Sequence, residues 1–117
     1  MGCRAGLGPA VKQGDLVWYA FPPPAGRRPV VVLTRSSAIG YLNAVVVAPV
    51  STTIRNIPSE VVLDQSDGLP QRSVVNLDSL QTVAKSRLGP VIGHLAPARL
   101  RALGLALEFA VDVEALG

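Results

Sequence analysis

Residues 29–50, PVVVLTRSSAIGYLNAVVVAPV, decide the fold predicted for this chain. Residues 30–34 and 44–50 are two apolar runs rich in valine, and residues 36–43 form a loop in which Gly40 is the pivot. Short apolar runs bounded by proline and polar residues are typical of buried strands. Pro29 opens the first run, and Pro49 implies an edge or a bend near the end of the second. The segment predicts two neighbouring strands of one sheet.

Working outward, short strands and turns continue on both sides of this pair. Strand patterns are predicted at residues 16–21, 60–63, 73–77 and 91–95, turns at 22–26 and 64–70, and turn with short helix at 79–90. Pro97 suits the first position of a helix. Short strands in series followed by one helix predict a mainly β domain, a small antiparallel barrel or curled sheet with a C-terminal helix. Residues 14–117 form this single domain, and residues 1–13 are an N-terminal extension, a loosely held arm.

The predicted C-terminal helix is apolar around much of its girth. Leu100, Leu103, Leu107 and Val111 recur at helical spacing and form the stripe expected to pack on the sheet. Leu105 and Phe109 lie off that stripe, so part of the opposite side is available to a partner. This pattern favours an oligomer.

Composition and charge limit the classes of protein that this chain can belong to. The 117 residues are 49% hydrophobic, and no apolar run is long enough to cross a membrane. The N-terminus has no secretory signal, and the single Cys3 excludes an internal disulfide, so we expect a soluble, cytoplasmic protein. Three of the eight acidic residues, Glu108, Asp112 and Glu114, crowd the C-terminus, which leaves a basic body suited to a polyanion such as RNA.

The chemistry available to this chain is narrow. The sequence has one histidine, one cysteine and no carboxylate cluster at ligand spacing, so we expect no metal site. It also lacks a glycine-rich phosphate-binding loop, so we expect no cofactor. Cleavage of RNA is one reaction compatible with this, because the 2′-hydroxyl of the substrate is the nucleophile. The protein then supplies a guanidinium for the phosphate oxygens, a hydroxyl donor and proton transfer.

Two segments carry side chains of these types. Arg27 and Arg28 lie in the loop that enters the strand at Pro29, and Ser51 and Thr52 close the strand at 44–50. If these strands are neighbours, both segments fall near the same end of the sheet. From the residues alone, solvated loop charges and a capped turn are the commoner explanation.

Five segments in order resemble the MazF/PemK toxins. They are residues 14–18 (GDLVW), 26–33 (GRRPVVVL), 46–53 (VVAPVSTT), 72–76 (RSVVN) and 82–88 (TVAKSRL), the last with Ala84 where an acidic residue is usual. The resemblance spans about residues 14–112. It implies an SH3-like barrel, a homodimer, a cognate antitoxin and a metal-independent endoribonuclease that leaves a 2′,3′-cyclic phosphate and a 5′-hydroxyl.

The resemblance also implies site residues. The catalytic arginine of the family corresponds to Arg28, and its catalytic serine or threonine corresponds to Ser51, with Thr52 close enough to share the role. Asp78 and Ser79 occupy the segment where relatives place a glutamine that touches RNA. Candidates for binding RNA are Arg27, Arg55, Asp78, Ser79, Lys85 and Arg87.

Several alternatives stay open at this stage. The loop before Arg28 is shorter than usual and Ser79 replaces the glutamine, so the target sequence does not transfer from relatives. His94, just before a helix, is interpreted as structural. Trp18 and Tyr19 are both able to stack a base, although Trp18 is better interpreted as core packing. The rival functions are a CcdB-like toxin that binds a topoisomerase through its C-terminal residues, and an SH3-like binding module without toxicity.

Overall fold

A computed structural model describes residues 11–112 of the chain, which form one curled sheet and a C-terminal helix. This confirms the predicted mainly β architecture. The elements in chain order are β1 (Asp15–Ala20), β2 (Arg27–Val32), α1 (Ser36–Ile39), β3 (Ala44–Ser51), β4 (Glu60–Leu63), β5 (Ser73–Asn76), β6 (Gln81–Ala84), β7 (Val91–His94) and α2 (Pro97–Val111), with short 3₁₀ turns at Gln65–Asp67 and Lys85–Arg87.

All strand pairs are antiparallel, and β3 lies at the centre of the sheet. One side of β3 pairs with β2, with Val30 opposite Pro49. The other side pairs first with β6, through residues 44–47, and then with β5, through Val50 and Ser51. Pro49 therefore does not place β3 at an edge. It falls between the two pairings on that side, where β3 passes from one part of the sheet to the other.

Both faces of the central strands are covered by apolar side chains. Val31 and Ala48 belong to a first core that includes β4, β5 and α2, whereas Val30, Val32 and Val47 belong to a second core on the opposite face. Successive side chains of a strand point to opposite faces, so a valine run buried on both sides has no polar alternation. This explains why residues 30–32 are all fully buried.

Two segments differ from the sequence-based predictions. Residues 36–39 form the single turn α1 within the predicted loop, and residues 81–84 form β6 instead of turn and short helix. Val83 is the only buried residue of β6. A four-residue strand with one buried side chain has almost no hydrophobic pattern that would predict it from sequence. It forms because the first half of β3 has free backbone groups along one side, with which β6 pairs.

Gly14, just before β1, is tightly packed against α2 and β7. The φ angle of Gly14 is +90°, and a Cβ atom there would lie 2.5 Å from Cδ2 of Leu100 in α2. Beside it, Asp15 is buried, and its carboxylate lies 2.8 Å from Nδ1 of His94. The other Asp15 oxygen accepts the N–H of Lys12. The Gly14–Asp15 pair thus holds the start of β1 against α2 and β7.

The helix α2 is tied to the turn at Gln65–Asp67 by charged groups. Arg99 contacts Asp67 at 3.1 Å and Asp64 at 3.5 Å. The hydroxyl and the N–H of Ser66 both donate to Asp64 and, with the charge of Arg99, lower the pKa of that carboxyl below its usual value. The Asp64 carboxyl therefore stays ionised near neutrality and keeps its ion pair with Arg99 there.

Residues 11–13 are the described end of the expected extension, and residues 1–10 lie outside the described part of the chain. Val11 packs against the second core, and Gln13 donates to the Ser36 hydroxyl and to the Leu33 carbonyl. Across the described residues, no helix is long and apolar enough to cross a membrane.

Candidate functional site

Arg28 lies at the start of β2, directly after a tight hairpin. The N–H of Phe21 donates to the Gly26 carbonyl at 3.0 Å, and that of Ala25 donates to the Pro22 carbonyl. Gly26 has a φ angle of +71°, which favours glycine. Nε of Arg28 donates to the Ala25 carbonyl at 3.1 Å, so the loop fixes the base of the guanidinium. Within residues 11–112 no carboxylate forms an ion pair with Arg28, and the side chain is exposed.

Arg27 and Arg28 point to opposite faces of β2. Alternation places Arg28 on the face of Val30 and the second core. The guanidinium of Arg27 lies instead on the other face, with Cζ 4.6 Å from the ring centre of Trp18. A cation over an indole ring is held there by electrostatic attraction. The side chains of Arg27 and Arg28, although adjacent in the sequence, therefore lie on opposite faces of the sheet.

Ser51 lies on the neighbouring strand at the same end of the sheet as Arg28, where β2 begins and β3 ends, and we call this the Arg28 end. Both residues are two positions beyond Val30 and Pro49, the last pair of the β2–β3 ladder, and alternation sets both on the same face. The Ser51 hydroxyl accepts the N–H of Thr53 at 3.1 Å, which fixes the oxygen. Thr52 follows directly after the strand and is exposed.

The loop between β5 and β6 carries Asp78 and Ser79 and lies toward the middle of β3, because Val75 pairs with Val50 and Gln81 pairs with Val47. The hydroxyl of Ser59, which is buried, donates to the Asp78 carboxylate, and the N–H of Asp78 donates to the Asn76 side chain. Asp78 is thus held in place, while the side chain of Ser79 is exposed. Sequence reasoning missed Ser59 because its partner lies 19 residues further along the chain.

Two further arginines lie in the loops next to β4 and β5. Arg55 is exposed in the loop after β3, where the Glu60 carboxylate accepts the N–H groups of Arg55 and Asn56 and shapes the loop. Arg72 is also exposed, and it lies near Ser51 because it precedes β5, in which Val74 pairs with Ser51. The candidate residues named from the sequence do not include Arg72, although it belongs to the segment 72–76 that resembles the family.

Lys85 and Arg87 lie at the other end of β3. Ala84 pairs with Ala44, and β3 runs seven residues from there to Ser51, about 23 Å at the rise of a strand. The ammonium of Lys85 donates to the Ile39 carbonyl at 2.8 Å, which satisfies the end of α1. Arg87 is exposed. Within one chain these two residues do not meet Arg28.

His94 lies away from Arg28 as well. It pairs with Asp15 at the start of β1, whereas Arg28 is opposite Tyr19, four residues further along that strand and about 13 Å away. In the described part of the chain, no group of three or more histidine, cysteine or carboxylate side chains could hold a metal ion. The Arg28 end instead combines a guanidinium with a fixed hydroxyl, a pair suited to binding a phosphate group.

Comparison with known proteins identifies the family of this chain. Residues 12–111 match the family of PemK-like, MazF-like toxins of type II toxin–antitoxin systems. The chain is 52% identical to the probable endoribonuclease MazF5 of Mycobacterium tuberculosis over 97 residues, which are 82% of this chain and 89% of that protein.

Solved structures show the same likeness. The Mycobacterium tuberculosis toxin MazF-mt6 aligns with a TM-score of 0.79 at 36% identity, over 86% of this chain and 99% of that one. An endoribonuclease from a mycobacterial species, solved in complex with its cognate antitoxin, aligns with a TM-score of 0.79 at 26% identity, over 90% and 98% of the two chains. Both the family match and the alignment with MazF5 cover most of the chain. The chain therefore belongs to the PemK-like, MazF-like family of toxins of type II toxin–antitoxin systems.

Proposed function

We propose that this protein is a sequence-selective endoribonuclease toxin that cuts single-stranded RNA without a metal ion, and that Arg28 and Ser51 are its catalytic residues. The observation that carries the proposal is the placement of a guanidinium without an ion pair among residues 11–112, together with a fixed hydroxyl, on one face at the Arg28 end of the sheet. The names of the relatives favour an endoribonuclease over the topoisomerase-binding alternative. Cutting messenger, ribosomal or transfer RNA in the cytoplasm would block translation and growth.

In this mechanism, Arg28 binds two nonbridging oxygens of the phosphate and Ser51 donates to the same group. A planar guanidinium holds two oxygens in a fixed geometry, which stabilises the charge that develops as the 2′-oxygen attacks. We favour Ser51 over Thr52 as the catalytic hydroxyl, because Ser51 is on the Arg28 face of β3 and its oxygen is fixed by the N–H of Thr53, whereas Thr52 lies beyond the strand. Arg72, near Ser51, and Arg55, Asp78 and Ser79, in the loops before β4 and after β5, contact the RNA on either side of the cut. Arg27, Lys85 and Arg87 contribute positive charge at a greater distance.

Cleavage of a defined RNA in excess EDTA tests the proposal. We expect the purified protein to cut single-stranded RNA at specific sites and to leave DNA of the same sequence intact, because only RNA carries the 2′-hydroxyl. Protein with Arg28→Ala, purified in parallel, controls for contaminating ribonuclease. Cleavage that requires added Mg²⁺, or equal cleavage of DNA, would contradict it.

We further propose that the protein is a homodimer that contacts its partner through α2. Leu105 and Phe109 are 71% and 56% exposed, one turn apart on the same side of the helix. Arg101 precedes them and Asp112 follows them along α2. Two such helices packed antiparallel about a two-fold axis would bring each Arg101 near the partner's Asp112, and would bury the apolar side chains between them.

Phe109→Glu is therefore expected to weaken self-association by roughly a hundredfold, because it removes two buried rings and places like charges together. Sedimentation at micromolar concentration measures the dimer. Tyr41→Glu is the matched control, because Tyr41 is also 71% exposed and lies outside α2. A wild-type monomer at these concentrations would refute the dimer, and a Phe109→Glu variant that still dimerises would move the interface elsewhere.

A cognate antitoxin is the remaining partner that we propose. One structural relative was solved with its cognate antitoxin. The exposed arginines at the Arg28 end suit a segment with acidic residues, and the exposed side of α2 suits apolar ones. Such a segment would neutralise the toxin by occupying the surface that RNA requires.

A further inference from the structure

Aromatic residues are concentrated in β1. The chain has five, and Trp18, Tyr19 and Phe21 lie within four positions. Tyr19 and Phe21 pack edge to face, with ring centres 4.9 Å apart, and both contact the second core. The two rings are the aromatic part of an otherwise aliphatic cluster within residues 11–112.

Tyr19 is the direct neighbour of Arg28 across the sheet. The register of β1 and β2 pairs these two residues, and alternation places Tyr19, Arg28 and Ser51 on one face. Tyr19, Arg28 and Ser51 thus lie in a row on one face of three adjacent strands, and the paired residues Tyr19 and Arg28 are one step of about 4.8 Å apart. One such step is comparable with the size of a single nucleotide, so a phosphate held by Arg28 would place a neighbouring base over Tyr19.

The surroundings of Tyr19 suit stacking. Its side chain is partly exposed, and among residues 11–112 its hydroxyl forms no hydrogen bond. Phe21 and the second core hold the ring in one orientation, so little conformational entropy is lost when a base binds. Trp18 is not equivalent, because it lies on the opposite face and its ring is covered by Arg27.

We propose that Tyr19 is a specificity residue whose ring stacks a base adjacent to the phosphate bound by Arg28. The inference rests on the proposed RNA cleavage and adds Tyr19 to the residues that contact the substrate. Single-stranded RNA is bound largely by stacking of unpaired bases on aromatic side chains, and one such contact contributes affinity together with a modest base preference that follows stacking strength.

The experiment uses the full-length protein and an oligonucleotide made uncleavable by a 2′-deoxy sugar at the cut. A 2-aminopurine base is placed on either side of the cut in turn, and its fluorescence is quenched when it stacks. We expect Tyr19→Leu to abolish the quenching at one of the two positions and to weaken binding roughly ten- to a hundredfold. Leucine retains an apolar contact with the core, and Tyr19→Phe, which retains the ring, should stay within about twofold of wild type.

Sequencing the products of a randomised RNA gives a readout that a purely structural role would not change. Tyr19→Leu should lose base preference at the position next to the cut and keep it elsewhere, whereas Tyr41→Ala, an exposed tyrosine outside the row, should change neither. Unchanged preference and quenching in Tyr19→Leu would overturn the inference. A loss in Tyr19→Phe equal to that in Tyr19→Leu would also overturn it, because the phenol would then be the functional group. If wild type cuts no RNA, the proposed function itself fails.

Discussion

Replacing Arg28 by alanine is expected to reduce the rate of RNA cleavage by about a hundredfold or more while leaving the fold intact. The guanidinium is exposed, and its one hydrogen bond within residues 11–112 runs from Nε to the Ala25 carbonyl, so its loss removes little from the folded state. The transition state, in contrast, loses the group that would stabilise the phosphate oxygens. Single-turnover cleavage with thermal unfolding measured in parallel separates the two effects.

Companion variants decide whether geometry or charge matters. Arg28→Lys should restore little activity, because an ammonium cannot span two oxygens. Arg27→Ala should cost less than Arg28→Ala, since Arg27 lies on the opposite face and stacks on Trp18. Ser51→Ala should be milder than Arg28→Ala but more damaging than Thr52→Ala. Near-normal turnover in Arg28→Ala would show that the assignment of the catalytic site is wrong.

A single 2′-deoxy nucleotide on the 5′ side of the cut is expected to abolish cleavage at that linkage completely. In the proposed reaction the 2′-oxygen forms a bond to phosphorus and the bond from phosphorus to the 5′-oxygen breaks. A proton leaves the 2′-hydroxyl, and another is delivered to the departing 5′-oxygen. Without the 2′-oxygen no nucleophile remains at that linkage, so the effect is all or none.

The substituted RNA carries its own control. Linkages of the same sequence elsewhere in the molecule keep their 2′-hydroxyl and should be cut at the normal rate. The products should carry a 2′,3′-cyclic phosphate and a 5′-hydroxyl, which mass spectrometry identifies. Undiminished cutting at the deoxy position, or a 5′-phosphate product, would mean that water attacks the phosphorus and that the cyclising mechanism is wrong.

Much of the fold was predictable from local pattern. The valine runs identified β2 and β3, Pro97 and the leucine spacing identified α2, and the short strands in series gave a curled antiparallel sheet. The strand β6 was not predictable in this way. Its only buried side chain is Val83, and it is a strand because of its pairing with β3, a contact between segments about 40 residues apart in the chain.

The sequence by itself determined the family, the architecture and the residue types of the candidate site. Only the tertiary structure decided how those residues are arranged. Residues 30–32 are buried on both faces of β2, so no polar alternation indicates to which face Arg27 or Arg28 belongs. The two cores decide it, and they set Tyr19, Arg28 and Ser51 in one row and leave Lys85 at the far end of β3. The physical reason is that residue type is local, whereas the face of a strand is defined only by what packs on each side of the sheet.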